Sequence, residues 1–334
     1  MTGSTVLVTG GAGYIGSHTS RLLQDAGFRV LVLDNLYSGH RWAVPSDAVF
    51  QEGNAGDPDV VSELHQRYQF DSVIHFAGHI VVPESVADPV KYYRNNVVAS
   101  LELINQSRNL GVRNFIFSSS AAVYGIPAHN PVNESTPAAP INPYGASKLI
   151  TEWTLKDIAE SARLVDQDFR FVALRYFNVA GASLDASIGQ ATPEATHLIK
   201  VACETASGKR SGMRIFGTDY DTRDGTCIRD YIHVMDLADA HIRALGHLQD
   251  GGDSQILNCG YGHGFSVREV LDSVERVTGV QIPIELGPRR AGDPPSLVAD
   301  NQRIRDLLQW QPRYDDLDTI CQTAWNWEQK LSAT

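Results

Sequence analysis

The chain has 334 residues, 43% hydrophobic and 20% charged, a globular balance with core enough to need no disulfide or metal staple. Its net charge of -11, from Lys+Arg 28 against Asp+Glu 39, comes without a basic cluster and argues against nucleic acid, whose phosphates need a positive face. No run of 18 apolar residues suits a membrane span, the first residues lack the charge of a signal peptide, and four scattered cysteines without a CxxC pair fit free thiols, so a cytoplasmic protein with no metal is expected.

Short β-branched runs alternate with helical stretches from the start. Strand Thr5–Val8, helix Ile15–Ala26 and strand Arg29–Leu33 come first, then helix Pro58–Tyr68 and strand Ser72–Phe76. Helix Val90–Asn109, strand Asn114–Ser118, a helix from Tyr144 to about Ala162 and strand Arg170–Tyr176 follow. Wholly apolar strands alternating with helices imply a parallel sheet covered on both faces, and right-handed crossovers make it an α/β doubly wound fold. After Tyr176 glycine and proline become frequent and the rhythm changes. Residues 1–178 are expected to form a dinucleotide-binding domain, with about 233–259 returning to it, and 179–334 a smaller α/β domain.

The first strand runs into Thr9-Gly10-Gly11-Ala12-Gly13-Tyr14-Ile15-Gly16. Gly10 permits a tight turn, Gly13 lets backbone approach a pyrophosphate, and Gly16 allows close packing of helix on strand. The helix N-terminus beyond offers unpaired N–H groups to an anion. Alone, these glycines equally describe an ordinary turn. Asp34, closing the second strand about 20 residues on, changes that reading: a carboxylate there accepts hydrogen bonds from an adenosine ribose and repels a 2′-phosphate. NAD is therefore expected rather than NADP.

Farther along, Asn114–Ser118 leads into Ser118-Ser119-Ser120, and Asn142-Pro143-Tyr144 has the form of a capped helix start. Tyr144 and Lys148 lie four apart and share a helix face. A free tyrosine has a pKa near 10, and a neighbouring ammonium with a cationic nicotinamide favours the phenolate. Ser120 is placed to hydrogen-bond the oxygen that loses its proton.

With these motifs in order, the sequence resembles the extended short-chain dehydrogenase/reductases, and among them the UDP-glucose 4-epimerases, over nearly its whole length. The carriers, beyond the glycine turn, are His75-Phe76-Ala77-Gly78, Pro83-Glu84-Ser85, Asn95-Asn96, Phe117 to Ser120, Tyr144 to Lys148 and Leu174 to Asn178. The most specific are Asp224-Gly225-Thr226-Cys227-Ile228-Arg229-Asp230-Tyr231-Ile232-His233-Val234 and Arg289-Arg290-Ala291-Gly292-Asp293. The resemblance implies Tyr144, Ser120 and Lys148 as catalytic. It implies Gly10, Gly13, Tyr14, Ile15, Gly16, Asp34, Asn35, Asn54, Ala55, Phe76, Ala77, Gly78, Asn95, Lys148 and Phe177 as NAD contacts. For the UDP-hexose it implies Ser120, Tyr144, Asn178, His197, Leu198, Phe216, Arg229, Arg290, Asp293 and Leu297. It also implies a homodimer built from the helices Val90–Asn109 and Tyr144–Ala162.

Three positions depart from the family pattern. Asn54 stands where some members have Asp, and Ile80 where some have Lys, so contacts to NAD there are weaker or met by other groups. Leu297 stands where a bulky Tyr tends to exclude N-acetylated sugars and a small residue tends to admit them. A nucleotide-sugar 4,6-dehydratase is set aside because the Asp-Glu acid/base couple such enzymes carry before Val-Tyr-Gly is here Ala121-Ala122. A catalytically silent NAD-binding protein would have no use for Ser120, Tyr144 and Lys148 together. His233 is expected to cap or pack near a helix start.

Overall fold

The computed structural model describes residues 3–290 and 293–332; Ala291 and Gly292 of the Arg289–Asp293 motif lie outside the described residues. Strands β1 (Thr5–Thr9), β2 (Arg29–Asp34), β3 (Val49–Glu52), β4 (Ser72–His75), β5 (Asn114–Ser120) and β6 (Arg170–Tyr176) join Gln255–Cys259 in one seven-stranded sheet. From that last strand the order runs β6, β5, β4, β1, β2, β3, with every pairing parallel.

The period of two sorts each strand between two cores. Val6, Val8, Val30, Val32, Ile74, Ile116 and Val172 face one side, where Leu23 of helix Tyr14–Asp25 and Leu237, Ala244 and Leu248 of helix Val234–Gln249 cover them. Leu7, Leu31, Val73, Phe115, Phe117 and Phe171 face the other, under Leu64 of helix Pro58–Tyr68, Leu103 of helix Ala99–Asn109 and Leu155 of helix Pro143–Arg163. Burial on both faces makes these strands read as continuous apolar runs.

Two elements differ from expectation. The edge strand Val49–Glu52 has two exposed polar residues and no apolar run to announce it. The expected helix Val90–Asn109 has three parts: α-helix Pro89–Tyr92, a π-helical stretch Tyr93–Val98, then α-helix Ala99–Asn109. The wider coil carries Asn96 inward, where its amide accepts from His79 N at 2.8 Å and donates to His79 O at 2.9 Å.

Beyond Tyr176 smaller pieces gather around helices Leu198–Ala206, Val267–Thr278 and Leu317–Ser332. Met213–Phe216 pairs with Ile284–Gly287, and Ile228–Arg229 lies between Phe265–Ser266 and Ser296–Leu297. Val234–Cys259 leaves this group and returns to the sheet, placing its strand beside β6. His233 caps the returning helix, its Nδ1 accepting from Met235 N at 3.1 Å. All four cysteines are unpaired and buried.

Candidate active site

Parallel strands put all their carboxyl ends on one edge, where α/β folds bind ligands. A cleft of 2430 Å³ opens there between the sheet edge and the smaller group of elements. Single small-molecule sites run about 300–1,000 Å³, so this space suits two nucleotide-sized ligands side by side. Every residue expected at the site lines it except Lys148.

At one end is the glycine turn. Gly10 has φ 72°, and a Cβ on it would stand 2.6 Å from Ala77 N, so the turn after β1 packs directly on the segment after β4. A Cβ at Gly16 would meet Gly10 O at 2.2 Å, which is what close seating of the helix requires. No side chain caps the helix Tyr14–Asp25 at Gly13, leaving its first N–H groups for an anion. The Asp34 carboxylate is held by Ala12 N at 2.9 Å and Leu36 N at 2.8 Å. Burial nonetheless raises its pKa, the two amides working in the opposite direction. Asn35 donates to Asn54 Oδ1 at 2.9 Å, so the amide at position 54 has one lone-pair direction left for a ligand. The Tyr14 phenol turns away and donates to Gly181 O at 2.7 Å. Glycine backbone, open N–H groups and a fixed acid together fit a dinucleotide.

At the other end β5 delivers Ser120, and Asn142 caps the next helix by accepting from Gly145 N at 2.8 Å. That start sets Tyr144 and Lys148 on its inner face, both buried. The Ser120 hydroxyl lowers the pKa of the Tyr144 phenol, but burial is the larger effect and raises it. The sequence leads one to expect the lowering from Lys148 together with a cationic nicotinamide; within the chain itself Ser120 is the group that lowers it. The ammonium stands 5.9 Å from the Tyr144 ring centre and donates to Ser118 O at 2.8 Å, behind the cleft lining. Burial lowers its own pKa to about 8, so the ammonium is still mostly charged near neutrality. Because burial raises the Tyr144 pKa, further positive charge in the cleft favours its phenolate.

Two features here went unread in the sequence. Tyr176 lines the cleft with its hydroxyl 2.5 Å from Ser118 Oγ. Glu152, four residues after Lys148 and wholly buried, accepts from Ser119 Oγ at 2.6 Å, Arg175 Nε at 2.8 Å and Arg175 Nη2 at 2.6 Å. Arg175 also donates to Tyr124 Oη at 3.0 Å. The spacing Tyr144–Lys148–Glu152 was the available signal.

The outer wall carries the remaining expected residues. The Arg290 guanidinium lies 3.9 Å above the Phe216 ring. Arg229 is 3.6 Å from the Asp293 carboxylate and donates to Pro294 O at 2.8 Å. Gln190 Nε2 and His197 Nδ1 are 2.8 Å apart, and burial lowers the His197 pKa, which favours neutral imidazole. Leu297 stands in register with Arg229 and packs against the cluster of Ala121, Val123, Tyr124, Val132 and Leu149.

Residues 6–260 match the NAD dependent epimerase/dehydratase family. The UDP-glucose 4-epimerase of Azospirillum brasilense is 53% identical over 326 residues, 98% of this chain and 92% of that protein. The structure of the Brucella ovis UDP-glucose 4-epimerase in complex with NAD superposes with a TM-score of 0.92 at 46% identity, covering 97% of this chain and 98% of that one. The UDP-Glc/GlcNAc 4-epimerase of Campylobacter jejuni gives 0.85 at 49% identity, covering 98% and 99%.

Proposed function

The chain belongs to the NAD dependent epimerase/dehydratase family, and from that premise we propose that it interconverts UDP-glucose and UDP-galactose by inverting C4 of the hexose through a transient 4-keto sugar. One observation carries the reading: the Ser120–Tyr144 pair and the glycine turn with Asp34 open onto the same cleft. NAD, when bound, supplies the hydride acceptor for C4 and afterwards the donor.

Tyr144 takes the proton of the sugar 4′-hydroxyl and returns it, and Ser120 holds the hydroxyl oxygen in line through its hydrogen bond. Lys148 supports the phenolate electrostatically from behind the lining. Arg229 and Arg290 bind the diphosphate oxygens, for which the guanidinium fork is suited, and Phe216 offers a face to the base. Asn178, His197, Leu198 and Asp293 complete the wall, and Leu297 faces the hexose. Gly10, Gly13, Gly16, Tyr14, Ile15, Asp34, Asn35, Asn54, Ala55, Phe76, Ala77, Gly78, Asn95 and Phe177 border the NAD space. The catalytic step reverses itself about C4, leaves no net redox change and gives no cause to release the cofactor. Resident NAD follows.

Residues 1–178 with about 233–259 make the NAD-binding domain, and the rest of 179–334 the UDP-sugar domain. The enzyme works in the cytoplasm as a homodimer. Supporting this, the helices Ala99–Asn109 and Pro143–Arg163 pack side by side, and Leu101 and Trp153 on them are exposed, as is Val98 just before the first. Among the described residues no helix is long and apolar enough to cross a membrane.

The test is direct. Denaturing the purified protein should release NAD, and Tyr144→Phe should abolish conversion of UDP-galactose to UDP-glucose while the NAD content stays unchanged. Conversion by protein free of bound and added nicotinamide overturns the reading.

A further inference from the structure

The mechanism leaves unused a cluster at the rim of the cleft. Tyr37 comes three residues after β2, and His79 four residues after β4; their rings meet at 4.7 Å. In the sheet, β1 lies between β2 and β4. These two segments therefore touch only by crossing above the glycine turn that ends β1. That turn is under them: His40 N donates to Ala12 O at 2.9 Å, and a Cβ on Gly39 would stand 2.8 Å from Ala12 C.

The crossing is pinned from the far side. Lys91 Nζ donates to Tyr37 Oη at 2.9 Å and lies 5.1 Å from that ring centre. The same ammonium pairs with Glu84 Oε1 at 2.5 Å, and Tyr92 Oη donates to Glu84 Oε2 at 2.9 Å. Tyr92 is 0% exposed and its hydroxyl also accepts from Val81 N at 2.9 Å, so the chain of contacts ends in the core. Tyr37, by contrast, is 60% exposed and adds nothing to either core. Tyr37, His79 and Lys91 all border the cleft.

We propose that Tyr37 and Lys91 form a strap across the diphosphate end of the NAD site, so that its opening sets the rate of cofactor release and not the rate of epimerisation. The inference rests on the NAD site of the proposed function. Ser120 ends β5 and Tyr144 lies in the first turn of helix Pro143–Arg163, whereas Tyr37 and His79 lie just beyond β2 and β4. The strap residues are positioning residues, and each reaches the cofactor space without reaching the reacting carbon.

Holoenzyme loaded with NADH and chased with excess NAD, followed by nicotinamide fluorescence, measures release. Tyr37→Ala and Lys91→Met should each speed release by about tenfold, in the range set by one cation–π contact and one ion pair. The double variant should release no faster than either single, because one strap is broken twice. Lys91→Arg should stay near wild type, and release from wild type should quicken with salt while that from Lys91→Met does not. Turnover at saturating NAD should stay within about twofold in all variants. Release within about twofold of wild type in both single variants, or effects that multiply in the double, or turnover falling in step with release, overturns the strap. Protein that binds no nicotinamide at all overturns the underlying reading and the strap with it.

Discussion

Replacing Glu152 with Gln removes the counter-charge of Arg175 while keeping the side-chain shape. Glu152 is 0% and Arg175 5% exposed, so water cannot take over, and stranding one partner of such a pair costs about 3–5 kcal/mol. An exposed pair would be worth about 0–1 kcal/mol. For 334 residues unfolding as one unit at about 2.1 cal/mol/K per residue, the unfolding entropy is roughly 0.7 kcal/mol/K. Glu152→Gln should therefore lower Tm by about 4–7 °C, against less than about 1.5 °C for a solvent-screened pair. Scanning calorimetry with saturating NAD throughout reads the difference. Arg175→Met should cost a similar amount, and the double variant Glu152→Leu/Arg175→Met less than either single, since no charge is left behind. A fall below about 1.5 °C in the singles, or a double variant as costly as the two added together, would refute the reasoning.

Lys148 gives a pH prediction. Its folded pKa of about 8 lies below the ordinary 10.5, so between those values the unfolded chain binds the extra proton and stability rises with pH. The advantage of Lys148→Met over wild type in urea unfolding should then shrink by about 3 kcal/mol from pH 8 to 10.5, and a constant difference would contradict it. Leu297→Tyr should abolish turnover of UDP-N-acetylglucosamine, expected in the unmutated protein as a weak side activity, and spare UDP-galactose; partial steric room discriminates by about 1–3 kcal/mol. Equal loss of both sugars would show that Leu297 is not the gate. Asp34→Ser should raise NADP affinity at least tenfold relative to NAD, measured by equilibrium binding to stripped protein, and an unchanged ratio would free Asp34 of that role.

The helices and strands that bury a full apolar face were readable because burial on both sides of a parallel sheet leaves an unbroken signature, as in Val30 to Leu33. Val49–Glu52 was not, because an edge strand with half-exposed positions shows neither an apolar run nor clean alternation. The π-helical stretch at Tyr93–Val98 depends on Asn96 meeting the His79 backbone, a contact between segments that no local period records. At the site, Ser120, Tyr144, Lys148 and Asp34 sit in local motifs, so the sequence alone could name them as candidates. The Arg175 partner of Glu152 lies on another strand and was not. Nor was the direction of the Tyr144 shift, since its burial is a property of the assembled cleft.

The return of Gln255–Cys259 to β6 has a consequence for the chain as it leaves the ribosome. The 80 residues from 176 to 255 must be made before β6 acquires its outer neighbour, which at about 5–20 residues per second takes roughly 4–16 s. Throughout that interval one edge of the nascent sheet presents unpaired backbone groups, the template on which aggregation starts. The partner arrives late, in a non-local parallel pairing that is slow to form. Truncation anywhere before Cys259 should therefore yield a sticky fragment even though six of the seven strands are complete. A chaperone that shields exposed strand edges should matter most while this segment is being translated.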